Sequence, residues 1–296
     1  MKLLLKFNLL IKFNLVFLLI FAIGMIAFGQ VSWNLLEKNA RSEIREKARL
    51  VMDAALATRE YTSLQVGPLL DTQMKYTFLP QSVPTYAATE VFKGLRKSHA
   101  DFSYKESVLN PTNPRNRALE WEADLIARFR NSKDSGEVAG DHATPDGVQF
   151  YIARPIRIYA AACLRCHSTV DAAPRTMVER YGPDNGFGWT LNEVVGAQIV
   201  SVPVNLPLER AEQAHTAFMI SIAVAFLVIG VALNAMLWTA IIGPLAKLAE
   251  VADRVSQGEL DVPDFQSKAS DEIGVLTRSL GRMRAELLEA RKTAGN

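Results

Sequence analysis

The sequence predicts an α+β domain held between two membrane-spanning helices and followed by a helical coiled coil. Three observations predict this arrangement: two long apolar runs without charge, a segment between them with helix and strand patterns, and heptad spacing after the second run. With 296 residues and a net charge of +2, the chain can bury a sizeable core and has no charge excess that would draw it to nucleic acid.

The two apolar runs are long enough to cross a bilayer as helices. Each exceeds the roughly 20 apolar residues that a transmembrane helix requires. We predict spans at residues 13–36 and 216–240, with a short tail at residues 1–12. A cleaved signal peptide is the alternative for the first run, but the apolar part of such a peptide covers only about 7–15 residues.

The charges beside the two runs predict the orientation. Three lysines precede the first span, and Lys247 and Arg254 follow the second. The segment between the spans, residues 37–215, has 22 basic and 22 acidic residues. The positive-inside rule therefore places both termini in the cytoplasm and residues 37–215 outside it.

Helix and strand patterns alternate within residues 37–215. Helix-forming composition predicts a helix at residues 37–66 that Gly67-Pro68 interrupts, and apolar spacing predicts a second helix at 118–130. Alternation and β-branched side chains predict strands at 148–158 and 193–204. The segment 136–147 is predicted to be a loop. Helices beside a few antiparallel strands are typical of an α+β domain.

The stretch Cys163-Leu164-Arg165-Cys166-His167 contains both cysteines of the chain. Cys-x-x-Cys-His is the attachment signal of a c-type haem. Two thiols on one helical turn can form thioethers to the two vinyl groups of one porphyrin, and the adjacent His167 can then ligate the iron. We predict one covalently attached haem c, with Cys163 and Cys166 as the attachment residues and His167 as an axial ligand.

A redox-active disulfide and a zinc site are the alternatives for this motif. A thioredoxin-like Cys-x-x-Cys lies near a βαβ pattern, and no such pattern is evident here. Zinc needs about four ligands, and the remaining histidines lie far apart in the sequence. Haem attachment takes place on the outer face of the bacterial membrane, where the charge rule independently places Cys163.

The second axial position on the iron stays open at this stage. Because both cysteines belong to the motif, no thiolate remains as a ligand. His99, Met52 and Met74 are candidates, and an iron with five ligands is the other alternative. An open position binds small gases, whereas a closed one favours electron transfer.

Other side chains are candidates for the haem pocket. Arginine pairs bidentately with carboxylates such as the haem propionates. The candidate pocket residues are Arg59, Tyr61, Arg154 and Arg157. Each of them is also compatible with a solvated position on a helix or strand face. The glycine-rich segment 181–189 (YGPDNGFGW) is predicted to be a structural loop.

The sequence after the second span has heptad spacing. Two apolar sets recur at steps of three and four: Leu245, Leu248, Ala252 and Val255, then Ile273, Leu276, Leu280, Met283 and Leu287. Two short helices of this kind cannot bury their apolar seams alone. We therefore predict a homodimer.

This segment resembles a HAMP domain, the parallel four-helix relay of bacterial transmembrane receptors. The resemblance rests on Gly243-Pro244-Leu245, on Gly258 with Leu260, and on the DEIGxL element at 271–276. It implies a HAMP domain at residues 241–292, with a C-terminal tail at 293–296.

The segment between the spans resembles a family of PAS-like, single-haem c-type sensor domains that lie outside the bacterial cytoplasmic membrane. The motifs that carry the resemblance are Arg59–Thr62, Ser82–Ala88, Tyr104–Asn116, Trp121-Glu122, Cys163–Ser168, Ala172–Pro174, Tyr181–Trp189 and Val194–Pro203. The resemblance implies a PAS-like mixed α/β domain at residues 37–215, with the haem held by the Cys-x-x-Cys-His helix. Where a member closes its iron with a third cysteine, this chain differs, so the second axial ligand cannot be transferred.

Together these features predict a two-pass sensor of the bacterial inner membrane with a periplasmic haem domain. Haem redox change or binding of a small diatomic gas would alter HAMP packing. No catalytic output module is evident, so we expect a transducer that acts through a separate cytoplasmic signalling partner. The alternative is a membrane-anchored monohaem cytochrome that carries electrons from a redox donor, and a haem-based enzyme is a third reading.

Overall fold

The computed structural model describes most of the chain, in three stretches: 8–132, 136–262 and 271–294. It divides into two compact units. The sheet unit is Trp33–Gln213, and the helical unit combines Met1–Ser32 with Ala214–Asn296. Of the predicted N-terminal tail, residues 1–7 lie outside the described residues, as do residues 295–296 of the predicted C-terminal tail.

The described residues form both helices and strands. The helices are α1 (Leu9–Tyr61), α2 (Gly67–Met74), α3 (Pro84–Leu95), α4 (Glu120–Asn131), α5 (Ala161–His167), α6 (Arg175–Tyr181), α7 (Asn205–Met236), α8 (Gly243–Ser256) and α9 (Glu272–Ala294). The strands are β1 (Ser103–Val108), β2 (Val138–Thr144), β3 (Gly147–Arg157) and β4 (Val194–Pro203). Short π-helical segments at Thr62–Val66 and Leu237–Ile242 follow α1 and α7, and 3₁₀ turns lie at Pro80–Ser82 and Pro114–Asn116.

The strands form one antiparallel sheet in the order β1-β4-β3-β2. Strand β4 lies inside the sheet and is buried along its length except at Pro203, which explains why it is composed mostly of β-branched and small residues. The predicted strands at 148–158 and 193–204 correspond to β3 and β4. The prediction of helices combined with a small antiparallel sheet is confirmed.

Helices cover both faces of this sheet. On one face, Phe150 and Ile152 of β3 pack with a stripe of α1 that includes Ile44 and Ala48, and with Phe92 of α3. The other face packs against α4 through Leu125, Ile126 and Phe129. Because side chains alternate along a strand, the middle of β3 and β4 supplies even-numbered residues to the α1 face and odd-numbered residues to the α4 face. Strand β2 has the opposite parity, since Val138 pairs with Ala153 and packs on the α4 face.

Two local features differ from the predictions. The segment predicted as a loop contains β2, which pairs with β3 in a hairpin whose turn is closed by a hydrogen bond from Thr144 Oγ1 to the Gly147 carbonyl (2.7 Å). Gly67-Pro68 changes the winding of the helix rather than ending it. The Gly67 N–H reaches back five residues to the Thr62 carbonyl, and Pro68 occupies the first turn of α2, where its missing N–H costs little.

The helical unit contains the second apolar run and most of the first. Among the residues that the structure describes, two helices are long and apolar enough to cross a membrane, and the apolar windows in both have no buried residues. Asn14 and Asn234 exchange two side-chain hydrogen bonds of 2.8 Å, and the Phe21 and Phe226 rings lie 4.6 Å apart. Reciprocal amide bonding satisfies polar groups that would otherwise meet hydrocarbon.

Helices α8 and α9 carry the two heptad sets. Helix α8 ends at Ser256, and Gly258 follows with a positive φ of 92° that suits glycine. On α9, apolar side chains at Val275, Leu276, Met283 and Leu287 remain about half exposed. The connector between these helices continues into residues 263–270, which lie outside the described residues.

Candidate functional site

The Cys-x-x-Cys-His motif forms the short helix α5. Cys163 and Cys166 are free thiols at positions i and i+3, so both project from one side of the helix. Both are partly exposed, which leaves them accessible for a covalent reaction. His167 is the last residue of the helix, and the loop that follows α6 returns to it.

The His167 ring is fixed by two contacts from that loop. Its Nδ1 lies 2.7 Å from the Gly186 carbonyl oxygen, and its ring stacks on Trp189 at 4.0 Å between centroids with an angle of 15°. Because a carbonyl only accepts hydrogen bonds, Nδ1 carries the proton and Nε2 presents a lone pair. This orientation of a ligating histidine by a backbone carbonyl is typical of metal sites.

Gly186 can hold its carbonyl there only because it lacks a side chain. Its φ is +89°, and a Cβ added at this position would lie 2.9 Å from the Thr112 Cα atom. The hydroxyl of Thr112 is itself buried and has no hydrogen-bond partner among the described residues. A substitution at Gly186 would therefore displace the carbonyl that orients His167.

Burial controls the protonation of the motif. Burial lowers the pKa of His167, while the hydrogen bond to Gly186 acts in the opposite direction. Burial raises the pKa of the Cys166 thiol, and the charge of Arg165 opposes this increase. At neutral pH the site therefore offers a neutral imidazole, the form of histidine that ligates metals.

Arg59 is the predicted pocket residue with the most constrained position. Its Nη1 atom donates to Thr85 Oγ1 (2.9 Å) and to the fully buried carboxylate of Glu106. Burial lowers the pKa of Arg59, but Glu106, Tyr104 and Cys163 raise it, with a net increase.

The other predicted pocket residues are placed differently. Arg154 donates to Glu137 and to Asp53, and Arg157 donates to the Asn192 carbonyl. The Tyr61 side chain is mostly exposed. Arg154 therefore directs all three guanidinium nitrogens to acceptors, whereas Arg59 and Arg157 each donate through Nη1 alone among the described residues.

The candidates for the second axial ligand occupy three different environments. Met52 is fully buried in the apolar core between α1 and the sheet. The Met74 sulfur accepts a hydrogen bond from the Leu79 backbone N–H at 3.1 Å, and the His99 ring is exposed and contacts Phe102 edge-on. These contacts do not select one of the three, so the identity of the second ligand stays a prediction.

Sequence reasoning missed Gly186 and Trp189, which contact His167, and Glu106, which accepts from Arg59. The first two belong to the segment 181–189, which was interpreted as structural only. A glycine-rich stretch that ends in tryptophan, shortly after Cys-x-x-Cys-His, is the signal that could have linked them to His167. Glu106 gave no such signal, because two of its three partners, Thr85 and Arg59, lie 21 and 47 positions away along the chain.

Comparisons with known proteins identify two segments. A family model described as Tll0287-like matches residues 37–203, and the HAMP domain model matches residues 236–289. Among solved structures, the crystal structure of the cyanobacterial heme-protein Tll0287 is 17% identical, covers 54% of this chain and 95% of its own chain, and has a TM-score of 0.43.

No match was found among curated proteins. The HAMP match establishes a signal-transduction domain after the second candidate span. The Tll0287-like match covers more than half of the 296 residues. The chain therefore belongs to the Tll0287-like family.

Proposed function

We propose that the chain is a membrane-bound c-type haem sensor that passes a signal to its HAMP domain. The observation that carries the proposal is the His167 ring, whose Nδ1 is held by the Gly186 carbonyl and whose Nε2 remains available to iron. Family membership supports it, because the heme-protein Tll0287 gives the family its name.

The residues present fit a covalently attached haem. Cys163 and Cys166 would hold the group through thioethers, because both thiols are free and lie on one side of α5. His167 would be an axial ligand in the neutral form that burial favours. When bound, the haem would supply an iron that changes charge or binds a small gas, and the protein supplies orientation and partial exclusion of water.

The second axial position decides which stimulus the site can detect. If the position is open, a diatomic gas can bind there; if Met74, His99 or Met52 closes it, the stimulus is a change of redox state. The side chains of Met74 and Met52 are engaged in local contacts, which favours an open position. A soluble redox donor or a gas would then be the partner on the outer face.

Transmission to the cytoplasm would use the helices that leave the sheet unit. We place the inner-membrane spans at 13–36 and 216–240, the periplasmic domain at 37–215 and the HAMP domain at 241–292. The half-exposed apolar side chains of α9 support a homodimer, because a second copy would cover them. The HAMP domain would bind a separate cytoplasmic signalling partner.

The first experiment asks whether the haem is present and ligated by His167. The full chain is purified from a bacterium that matures c-type cytochromes, together with Cys163→Ala, His167→Ala and the control His99→Ala. We expect a haem-associated peroxidase stain after denaturation in the wild type and in both His variants. Cys163→Ala should weaken the stain, and His167→Ala alone should change the spectrum of the reduced protein.

A second experiment separates a sensor from an electron carrier. Carbon monoxide added to the reduced wild type should shift the haem spectrum if the axial position is open. A single cysteine introduced at Leu287 should then form a disulfide across a homodimer at a rate that changes at least twofold between the oxidised and reduced haem. A rate that is independent of haem state would support an electron carrier instead. Absence of haem from the wild type would overturn both interpretations.

A further inference from the structure

Helix α1 has apolar side chains on two sides, and the sheet covers one of them. The covered stripe, which includes Ile44, Ala48 and Met52, packs in the core of the sheet unit. A second set of apolar residues on α1 is exposed: Leu50, Ala54, Ala57 and Tyr61. We call this set the α1 seam. At about 100° per residue, the α1 seam lies nearly opposite the covered stripe.

The α1 seam has the spacing of a coiled-coil contact. Its residues follow one another at steps of four, three and four, which places them along one line of the helix. Leu50 is 71% exposed and Tyr61 is 56% exposed. A surface helix of a globular protein has one apolar stripe, which faces the core. A second apolar stripe on the opposite side indicates a partner outside the chain.

The charges beside the α1 seam favour one orientation of a second copy. Asp53 and Glu60 are exposed along one edge of the seam, and the neutral Thr58 lies along the other edge. Asp53 pairs with Arg154 but keeps 63% of its side chain exposed. Antiparallel pairing would bring the two acidic edges together, which repel each other. Parallel pairing would bring the acidic edge of each copy to the neutral edge of the other.

Membrane insertion favours the same orientation. The positive-inside rule that orients one copy also orients a second copy, so their α1 helices leave the membrane in the same direction. The occupant that fits the α1 seam is therefore the same seam of another copy, placed in parallel. A protein of another sequence would need its own apolar stripe and a neutral edge to match.

We propose that the α1 seam is a second homodimer interface, in which two copies pair in parallel as a short coiled coil. The inference rests on the homodimer of the proposed function and extends it to the sheet unit, but it does not need the haem. The seam is about 16 Å long, and a contact of that length buries less than the roughly 1,200 Å² of a stable interface. Chains already joined through α9 meet at a higher effective concentration, so a small contact suffices.

The first test is disulfide formation by the full chain in membranes. A cysteine at the centre of a parallel seam meets its own copy, so Ala57→Cys should form covalent dimers at least about tenfold faster than Val91→Cys. Val91 is the matched control, because it is 53% exposed on α3, outside the α1 seam. The wild type, which keeps Cys163 and Cys166, supplies the background rate. Leu50→Cys should likewise cross-link with itself.

The second test places a charge in the α1 seam. Ala57→Glu puts an anion opposite its own copy, so it should slow the cross-linking of Leu50→Cys at least about fivefold. Val91→Glu is the control and should change that rate by less than about twofold. Because Ala57 is exposed in the single chain, we expect the Ala57→Glu variant to fold. An unfolding midpoint close to that of Val91→Glu checks this.

Several outcomes would overturn the inference. These are equal rates for Ala57→Cys and Val91→Cys, an unchanged rate after Ala57→Glu, or a covalent product with another protein in place of the dimer. If Leu50→Cys cross-links with Tyr61→Cys in a mixture but not with itself, the pairing is antiparallel and the proposal fails. If Leu287→Cys cross-links and Ala57→Cys does not, the HAMP homodimer stands and this interface is refuted. A wild type without haem whose Ala57→Cys variant still cross-links would refute the haem sensor and support the interface, so the two failures are distinguishable.

Discussion

Two ion-pair clusters in the sheet unit combine arginine with glutamate and yet differ in construction. The Glu106 cluster buries its carboxylate completely and surrounds it with Arg59, Thr85 and Tyr104. In the Glu137 cluster the carboxylate keeps 24% of its surface exposed and pairs with Arg49 and Arg154. Arg154 also pairs with Asp53, so basic and acidic side chains alternate within this cluster.

The difference shows what each cluster does in the molecule. The Glu137 cluster joins α1, through Arg49 and Asp53, to the β2–β3 hairpin, and water can replace any of its bonds. The Glu106 cluster has no access to water at the carboxylate, so each donor must stay in place. A buried pair of this kind adds little stability over an apolar core but fixes the geometry of Arg59, Thr85 and Tyr104 around the carboxylate.

The largest expected effect is on stability. Glu106→Ala should lower the free energy of unfolding by about 3–5 kcal/mol, because it leaves Arg59 without its counter-charge and the Tyr104 hydroxyl without an acceptor. Glu137→Ala should cost at most about 1 kcal/mol, since its partners can turn to water. Chemical denaturation of the full chain in detergent measures both values. Equal losses would contradict the distinction between the two clusters.

Much of the architecture was predictable because its signals are local. The apolar runs, the helix at 37–66 and the strands β3 and β4 each follow from residues within one segment. Strand β2 was missed because VAGDHAT contains small and polar residues that depart from strand propensity, and its pairing with β3 overrides that preference.

In the candidate site, too, the residues with local sequence signals were predictable and those with distant partners were not. Cys163, Cys166 and His167 are recognisable within five residues of sequence, and all three lie on α5. The roles of the Gly186 carbonyl and the Glu106 carboxylate were harder to predict, because His167 lies 19 positions from Gly186, and Thr85 and Arg59 lie 21 and 47 positions from Glu106. These groups meet only after the sheet and helices have formed. Likewise, the sequence could not distinguish Arg59, Arg154 and Arg157 as pocket residues, because it does not show which acceptors each guanidinium contacts.

The next largest effect concerns the energetic coupling between the two partners of an ion pair in each cluster. Adding Arg59→Met to Glu106→Ala should recover about 1–3 kcal/mol of unfolding free energy, because the unpaired buried cation is removed along with its carboxylate. Adding Arg154→Met to Glu137→Ala should recover nothing, since Arg154 still pairs with Asp53 in the single variant. A double-mutant cycle on the full chain gives both values. Additive losses at Arg59 and Glu106 would show that the buried pair does not act as a unit.

A smaller effect should appear in acid. Burial alone would raise the pKa of Glu137, but hydrogen bonds from Arg154 and Arg49 lower it below the ordinary value of 4.5. A carboxylate with a lowered pKa stabilises the folded state above its unfolded pKa, and this stability is lost as the pH falls through the lowered value. Between about pH 5 and 3, the wild type should therefore lose up to about 1 kcal/mol that Glu137→Gln does not lose. Parallel pH profiles of the two proteins would contradict this.

The smallest effect is the response of the two clusters to salt. The Debye length falls from about 10 Å at 0.1 M to about 3 Å at 1 M, which screens charges that water reaches. Arg49 is about half exposed, so the coupling of Arg49 with Glu137 should fall by roughly half, from at most about 1 kcal/mol. The coupling of Arg59 with Glu106 should stay nearly constant, because solvent ions cannot approach the buried carboxylate. Double-mutant cycles repeated in 0.1 M and 1 M potassium chloride measure both couplings. A loss of coupling at Glu106 would mean that ions reach this carboxylate, and the rigid placement of Arg59 would then lose its physical basis.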